Sequence, residues 1–174
     1  MEIVIKKEFV EEAIDYSKLS RSYTSDAHDF HEGGLNAKQR KMFEGKLGEK
    51  GIKQFFIQNE INFVEDKSSH TDADNYDFIV HGTSKKYFVD VKTRTQQFHI
   101  RTLEMVKQLQ RKKIDIYISV RLFKSDKDYK INIIGWCSKN DIIKINRIEN
   151  HGYLDNYVMY DNELKKIDSL KEIL

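Results

Sequence analysis

The 174-residue chain contains no proline and a single cysteine, Cys137. Average proline usage is about 5%. Together with abundant isoleucine, lysine and asparagine, its absence suits an AT-rich bacterial or phage coding sequence. One cysteine excludes an internal disulfide, and a small buried core residue is the expected role for it. No apolar run approaches the ~20 residues needed to cross a bilayer. The opening residues also lack the apolar core and small-residue cleavage site of a secretory signal. A reducing cytoplasm and no membrane partner are therefore expected. Charge of one sign is nearly absent in the total, with 30 Lys and Arg against 28 Asp and Glu for a net charge of +2. That balance says nothing about nucleic acid by itself. Local clusters matter more for phosphate binding, and three stand out: Lys38, Arg40 and Lys41; Arg94 and Arg101; Arg111, Lys112 and Lys113.

What is present suits one folded unit over 1–174, long enough to bury a substantial core. Hydrophobic content is 39% and charged content 33%. The chain is organised around two acid-bearing strands. The first is Asn75 to Val80, carrying Asp77. The second runs Tyr87, Phe88, Val89, Asp90, Val91, Lys92, Thr93 and places two charges inside an otherwise apolar strand. Buried charge is expensive unless paired or metal-bound. Residues i and i+2 share a face of a strand, so Asp90 and Lys92 belong together. The short connection between the strands predicts a β-hairpin. A turn centred between Thr83 and Ser84 sets Asp77 opposite Asp90, with Cβ atoms roughly 4.5–5.5 Å apart. A one-residue slip would turn Asp77 to the other face.

Around this hairpin the spacing predicts a strand over 3–5, a helix over 7–19 and a polar loop over 20–34. The His28 and His31 pair in that loop lacks the rigid company a metal site needs. Asn36 is the expected N-cap of a long helix reaching about residue 59. On its wheel Met42, Gly45, Ile52 and Phe56 fall within about 60° of Glu49, so an acid occupies the middle of the apolar stripe. Gly45, Gly48 and Gly51 each weaken that helix by about 1 kcal/mol relative to alanine, which calls for close backbone approach to a sheet or a phosphate. A strand is expected over 61–65. The polar segment holding His70, Asp72 and Asp74 follows as a loop, without the glycine and terminal glutamate of a calcium loop. Beyond the hairpin the periodicity predicts a helix over 98–113, strands over 114–122 and 129–136, a short helix over 140–145, extended chain over 152–160 and a last turn over 170–174 capped by Ser169. Trp136 and the tyrosines read as core or rim.

In one cleft, Glu49, Asp77, Asp90 and Lys92 support phosphodiester hydrolysis. Magnesium favours one or two carboxylates plus waters and a substrate phosphate. Asp77 and Asp90 are the expected metal ligands, with the Val91 carbonyl as a third oxygen and Glu49 on a second metal or its waters. Manganese is expected to substitute. Lys92 is placed to orient the attacking water or to stabilise the pentavalent phosphate. Thr93, Arg94 and Lys46 are candidate contacts to nucleic-acid phosphates.

Glu49 on a helix, Asp77 on a strand and Asp90-Val91-Lys92 on the next strand resemble the PD-(D/E)xK nuclease superfamily, which includes restriction endonucleases, junction resolvases and many phage and repair nucleases. The resemblance covers residues 36–136 as catalytic core, flanked by an appendage over 1–35 and an extension over 137–174. It implies an α/β, restriction-endonuclease-like core with a central mixed four- to five-stranded sheet flanked by helices. It also implies a magnesium-dependent DNA endonuclease acting on double strands, with Asp77 and Asp90 as metal ligands and Lys92 as catalytic. Tyr76 stands where proline is common. The Gln-x-x-x-Tyr of some branches is missing, since Lys112 and Ile114 follow Gln108 and Gln110 at that spacing. Nucleases that cut both strands commonly act as dimers, and a homodimer is compatible with the chain. The competing reading is a catalytically silent nuclease fold kept as a nucleic-acid-binding or protein-interaction module.

Overall fold

A computed structural model describes residues 1–19, 35–66, 75–125, 128–150 and 154–174. The expectations for 20–34, with His28 and His31, and for the His70 to Asp74 segment lie outside the described residues, while Asn36, expected as an N-cap, falls inside a helix that begins at Leu35.

Nine strands and four α-helices follow one another in the described chain: β1 (Glu2–Val4), α1 (Lys7–Leu19), α2 (Leu35–Gln58), β2 (Phe63–Glu65), β3 (Phe78–His81), β4 (Lys86–Arg94), β5 (Arg101–Met105), α3 (Val106–Arg111), β6 (Ile116–Lys124), β7 (Tyr129–Ser138), α4 (Lys139–Ile145), β8 (Ile148–Asn150) and β9 (Asp155–Tyr160). Two short 3-10 turns, Asp161–Glu163 and Ile167–Glu172, close the chain. The main sheet has six strands in the order β1-β7-β6-β4-β3-β2, larger than the four or five expected, and a separate three-stranded sheet runs β5-β9-β8. In the main sheet β4 and β6 pair in parallel, and every other neighbouring pair is antiparallel. The crossover from β4 to β6 contains β5 and α3. No described helix is long and apolar enough to cross a membrane.

Alternation along the strands sorts their side chains into two layers. On one face, Val89, Ile116, Ile118, Val120 and Ile131 pack with Leu47, Ile52, Phe55 and Phe56 of α2 and with Phe9 and Ala13 of α1. On the other, Tyr117 and Cys137 pack with Leu109, Ile142 and Met159. Cys137 is buried, as its composition-level role required. Trp136 belongs to the first core, its indole N–H donating to the Lys166 carbonyl and to Ser169 Oγ. Ser169 therefore lies inside the last 3-10 turn and does not cap a turn after it.

The expected helix over 98–113 is half strand. Arg101–Met105 is extended and pairs antiparallel with β9 from Arg101↔Tyr160 to Met105↔Asn156, and only Val106–Arg111 is helical. The local spacing of Ile100, Leu103 and Val106 imitates a helix, but a pairing partner more than 50 residues away decides the outcome. Non-local pairing overrides local propensity in strands more readily than in helices.

Candidate functional site

Close contact between α2 and β4 builds the site. A Cβ added at Gly48 would lie 1.9 Å from Thr93 Oγ1, and one at Gly51 would lie 2.4 Å from Ile131 Cδ1. Both glycines let the helix backbone lie directly on the sheet, which accounts for their cost to helix stability. Gly45 meets nothing within 4 Å. This seating carries Glu49 to the edge of β4.

The hairpin pairs Phe78 with Val89 and His81 with Lys86. That pairing centres the turn between Thr83 and Ser84 as expected, and its last pair is Phe78↔Val89, so no ladder pair sets Asp77 opposite Asp90. β3 begins at Phe78, and just before it Asp77 binds β4 twice: its N–H donates to the Val89 carbonyl at 2.9 Å and its Oδ2 accepts the Val91 N–H at 2.6 Å. In an extended strand a residue's N–H and C=O point to the same side, so the Val91 carbonyl is aimed at the same edge.

Two charge sets meet at Asp77. On the α2 side, the Lys46 ammonium lies 2.5 Å from Glu49 Oε2 and 4.0 Å from the Tyr16 ring centroid. Lys46 is 7% exposed, so it serves the acid beside it and lies off the cavity wall described below. On the opposite face, the Lys92 ammonium lies 2.9 Å from Asp90 Oδ2 and also pairs with Glu104, while Lys112 stands 3.8 Å from Asp90 Oδ1. Burial pushes the Asp77 carboxyl well above the usual range, and the neighbouring Glu49 and Asp90 carboxylates push it further. Burial would also raise Asp90, but the Lys92 and Lys112 ammoniums hold it below the usual range. Burial would lower Lys92, yet Asp90 and Glu104 hold it above the ordinary lysine range, so it remains a cation.

Glu104 went unnoticed in the sequence, where Lys112 reads only as part of a basic cluster. Glu104 is 2% exposed, and burial raises its carboxyl despite the Lys92 charge. Asp90 Oδ2 and both Glu104 oxygens are buried and accept no hydrogen bond of sound direction. Their hold on Lys92 is a matter of charge and proximity. The phenol of Tyr117, paired across β4·β6 with Asp90, is also buried without a hydrogen bond.

Beside this cluster opens a cavity of about 620 Å³, with Val91, Lys92, Thr93 and Arg94 on one wall and Arg40 and Lys41 of α2 on another. The field there is positive. His99 on its rim is held below the usual histidine range by burial and by Arg94, Arg101 and Arg121. Asp77, Asp90, Glu49 and Glu104 do not line the cavity; its one lining acid among the described residues is Glu44 of α2, which pairs with Arg40 at 3.1 Å. Among the described residues, no three His, Cys, Asp or Glu side chains converge closely enough to hold a metal ion as they stand.

Comparison of the chain with family models, with curated proteins and with solved structures finds no match.

Proposed function

We propose that the chain is a magnesium-dependent DNA endonuclease with a restriction-endonuclease-like core of PD-(D/E)xK type. The observation that carries this reading is the clustering of acids and a lysine where β3 meets β4. Asp77 accepts the Val91 N–H at 2.6 Å and lies within the charge field of Asp90 and Glu49, and Lys92 follows Asp90 on the same face of β4, its ammonium 2.9 Å from Asp90 Oδ2. The element order supports it. A helix packed on the sheet precedes three antiparallel strands, and a crossover returns the chain to a parallel neighbour of β4.

The donor set suits a hard dication. Asp77 is crowded by the Glu49 and Asp90 carboxylates, so it is the acid a cation would relieve, while Asp90 beside it already faces the Lys92 ammonium at 2.9 Å. Asp77, Asp90 and the Val91 carbonyl would hold the ion, with Glu49 on its waters. Magnesium bound there supplies an activated water and neutralises charge on the phosphate.

The chain's own residues do the rest. Lys92, kept protonated by its two carboxylates, donates hydrogen bonds and positive charge to phosphate oxygens and is unsuited to act as a base. Thr93 and Arg94 continue along the cavity wall from Lys92 and supply phosphate contacts. Lys46 holds Glu49 in place. Arg40 and Lys41 across the cavity add to the field that draws in a polyanion.

The binding-module reading keeps one observation in its favour, because Lys46, Lys92 and Lys112 already compensate the acids without a metal. Incubating supercoiled plasmid, linear duplex and single strands with the protein and magnesium or manganese separates the two. Wild type is expected to nick or cut, while folded Asp77→Ala, Asp90→Ala and Lys92→Ala proteins do not. Tight DNA binding with no cleavage under either metal would favour the module.

A further inference from the structure

Glu104 is a carboxylate with no evident need to be where it is. It lies on β5, outside the main sheet, 2% exposed, and its Oε1 accepts no hydrogen bond. A buried ion pair is weak ground for stability, because apolar side chains of similar volume often do as well. Docking of the second sheet does not require this one, since Thr102 Oγ1 already bonds Ser119 Oγ at 2.8 Å two residues before it. What Glu104 does reach is the Lys92 ammonium, which it shares with Asp90.

A charge count shows what that contact achieves. In the structure Lys92 is shared between Asp90 and Glu104, with Lys112 standing off Asp90 at 3.8 Å, and Lys46 neutralises Glu49. A dication seated on Asp77 and Asp90 is matched by their two negative charges. Lys92 and Lys112 are then both surplus at Asp90, and Lys92, the nearer at 2.9 Å against 3.8 Å, needs another anion nearby. Glu104 is that anion, and five consecutive residue pairs between β5 and β9 make its seat rigid. Were it neutral, Lys92 and the incoming cation would compete for the same Asp90 oxygen.

We infer that Glu104 is a positioning residue, the second seat that holds Lys92 when a divalent cation occupies Asp90. This rests on the metal-nuclease reading and deepens it, adding a carboxylate that sets metal affinity without binding metal.

The test is a titration of the full chain with Mn2+ in the absence of DNA, following free Mn2+ by electron paramagnetic resonance. Glu104→Gln is expected to bind Mn2+ about tenfold more weakly than wild type, the scale on which outer partners of metal ligands act. Glu104→Asp keeps the charge and loses less. Lys92→Met, which removes the competitor, binds at least as tightly as wild type. Adding Lys92→Met to Glu104→Gln restores the affinity, a rescue that a merely structural role for Glu104 does not produce. Thermal melts of each variant establish that it is folded. Unchanged affinity in Glu104→Gln, or a loss that Lys92→Met fails to relieve, overturns the inference while the nuclease reading stands. If Glu104→Gln does not fold, weaker binding by Lys92→Met alone overturns it. A wild-type protein that binds no Mn2+ and cuts no DNA overturns the reading and the inference together.

Discussion

Replacing Gly48 by alanine puts a methyl group 1.9 Å from Thr93 Oγ1 and 3.0 Å from both Thr93 Cβ and Cγ2. Comfortable contact between such atoms begins near ~3.5 Å. Rotating the threonine does not help, because its Cβ is itself too close, so α2 must lift from β4 or the strand must give. Overpacking of this kind costs about 1–3 kcal/mol. Alanine's helix propensity returns up to about 1 kcal/mol, leaving a net loss of up to about 2 kcal/mol. For a chain of this size that lowers the melting temperature by roughly 2–4 °C per kcal/mol. Urea denaturation of Gly48→Ala, Thr93→Ala and the double variant measures it. Thr93→Ala removes Oγ1 and Cγ2, so the double variant is expected to recover at least ~1 kcal/mol relative to the sum of the two single changes. Because Glu49 is the next residue, the same lift draws its carboxylate from Asp77 and cleavage falls as well. A Gly48→Ala protein more stable than wild type by the full helix-propensity gain, or one showing no coupling to Thr93, would refute the close approach of α2 and β4.

Three further outcomes follow from the described contacts. Burial would raise the Glu65 carboxyl, but Lys50 at 2.6 Å and Lys53 at 2.9 Å hold it below the usual range. A depressed folded value means the contribution is complete above the unfolded value of 4.5 and is lost as pH falls through the folded one. Glu65→Gln should therefore cost about 1–3 kcal/mol at neutral pH, and its stability gap to wild type should close on acidification below 4.5; a gap constant with pH contradicts the pairing. Arg94→Ala should weaken duplex binding and reduce the slope of log affinity against log salt by about 1, read by fluorescence anisotropy with calcium in place of magnesium; an unchanged slope removes Arg94 from the phosphate path. Burial, with Asp141 nearby, pushes the Cys137 thiol up to about 12, so a thiol reagent at pH ~8 should label it only on unfolding, and rapid labelling of folded protein contradicts its burial.

Local pattern carried much of the fold. α1 spans the residues its spacing marks, and α2 covers the expected stretch to within a residue or so. The hairpin register was legible because side-chain period 2 and the centre of the turn fix it together. The glycines of α2 were legible as a puzzle, and the structure answers it at Gly48 and Gly51 with sheet contact. β5 was not legible. Its residues imitate a helix, and what makes them a strand is β9, far along the chain. Missing β5 hid Glu104, since a residue assigned to an exposed helix gives no reason to stand beside Lys92. Lys46 stands in the sequence only as a candidate phosphate contact, and its pairing with Glu49 beside the Tyr16 ring was not legible there. Lys112 read as part of a basic cluster, and its approach to Asp90 follows only from how the β4–β6 crossover folds back.

The central claim is that Asp90 is a ligand whose charge cleavage requires. Its most direct test is the rate of supercoiled plasmid loss for wild type and Asp90→Asn, purified identically and assayed with magnesium, manganese or a chelator. Metal-dependent loss is expected for wild type and none with chelator, with a rate for folded Asp90→Asn lower by at least about 100-fold. Equal rates for the two proteins, or cleavage that persists in chelator, would contradict the claim.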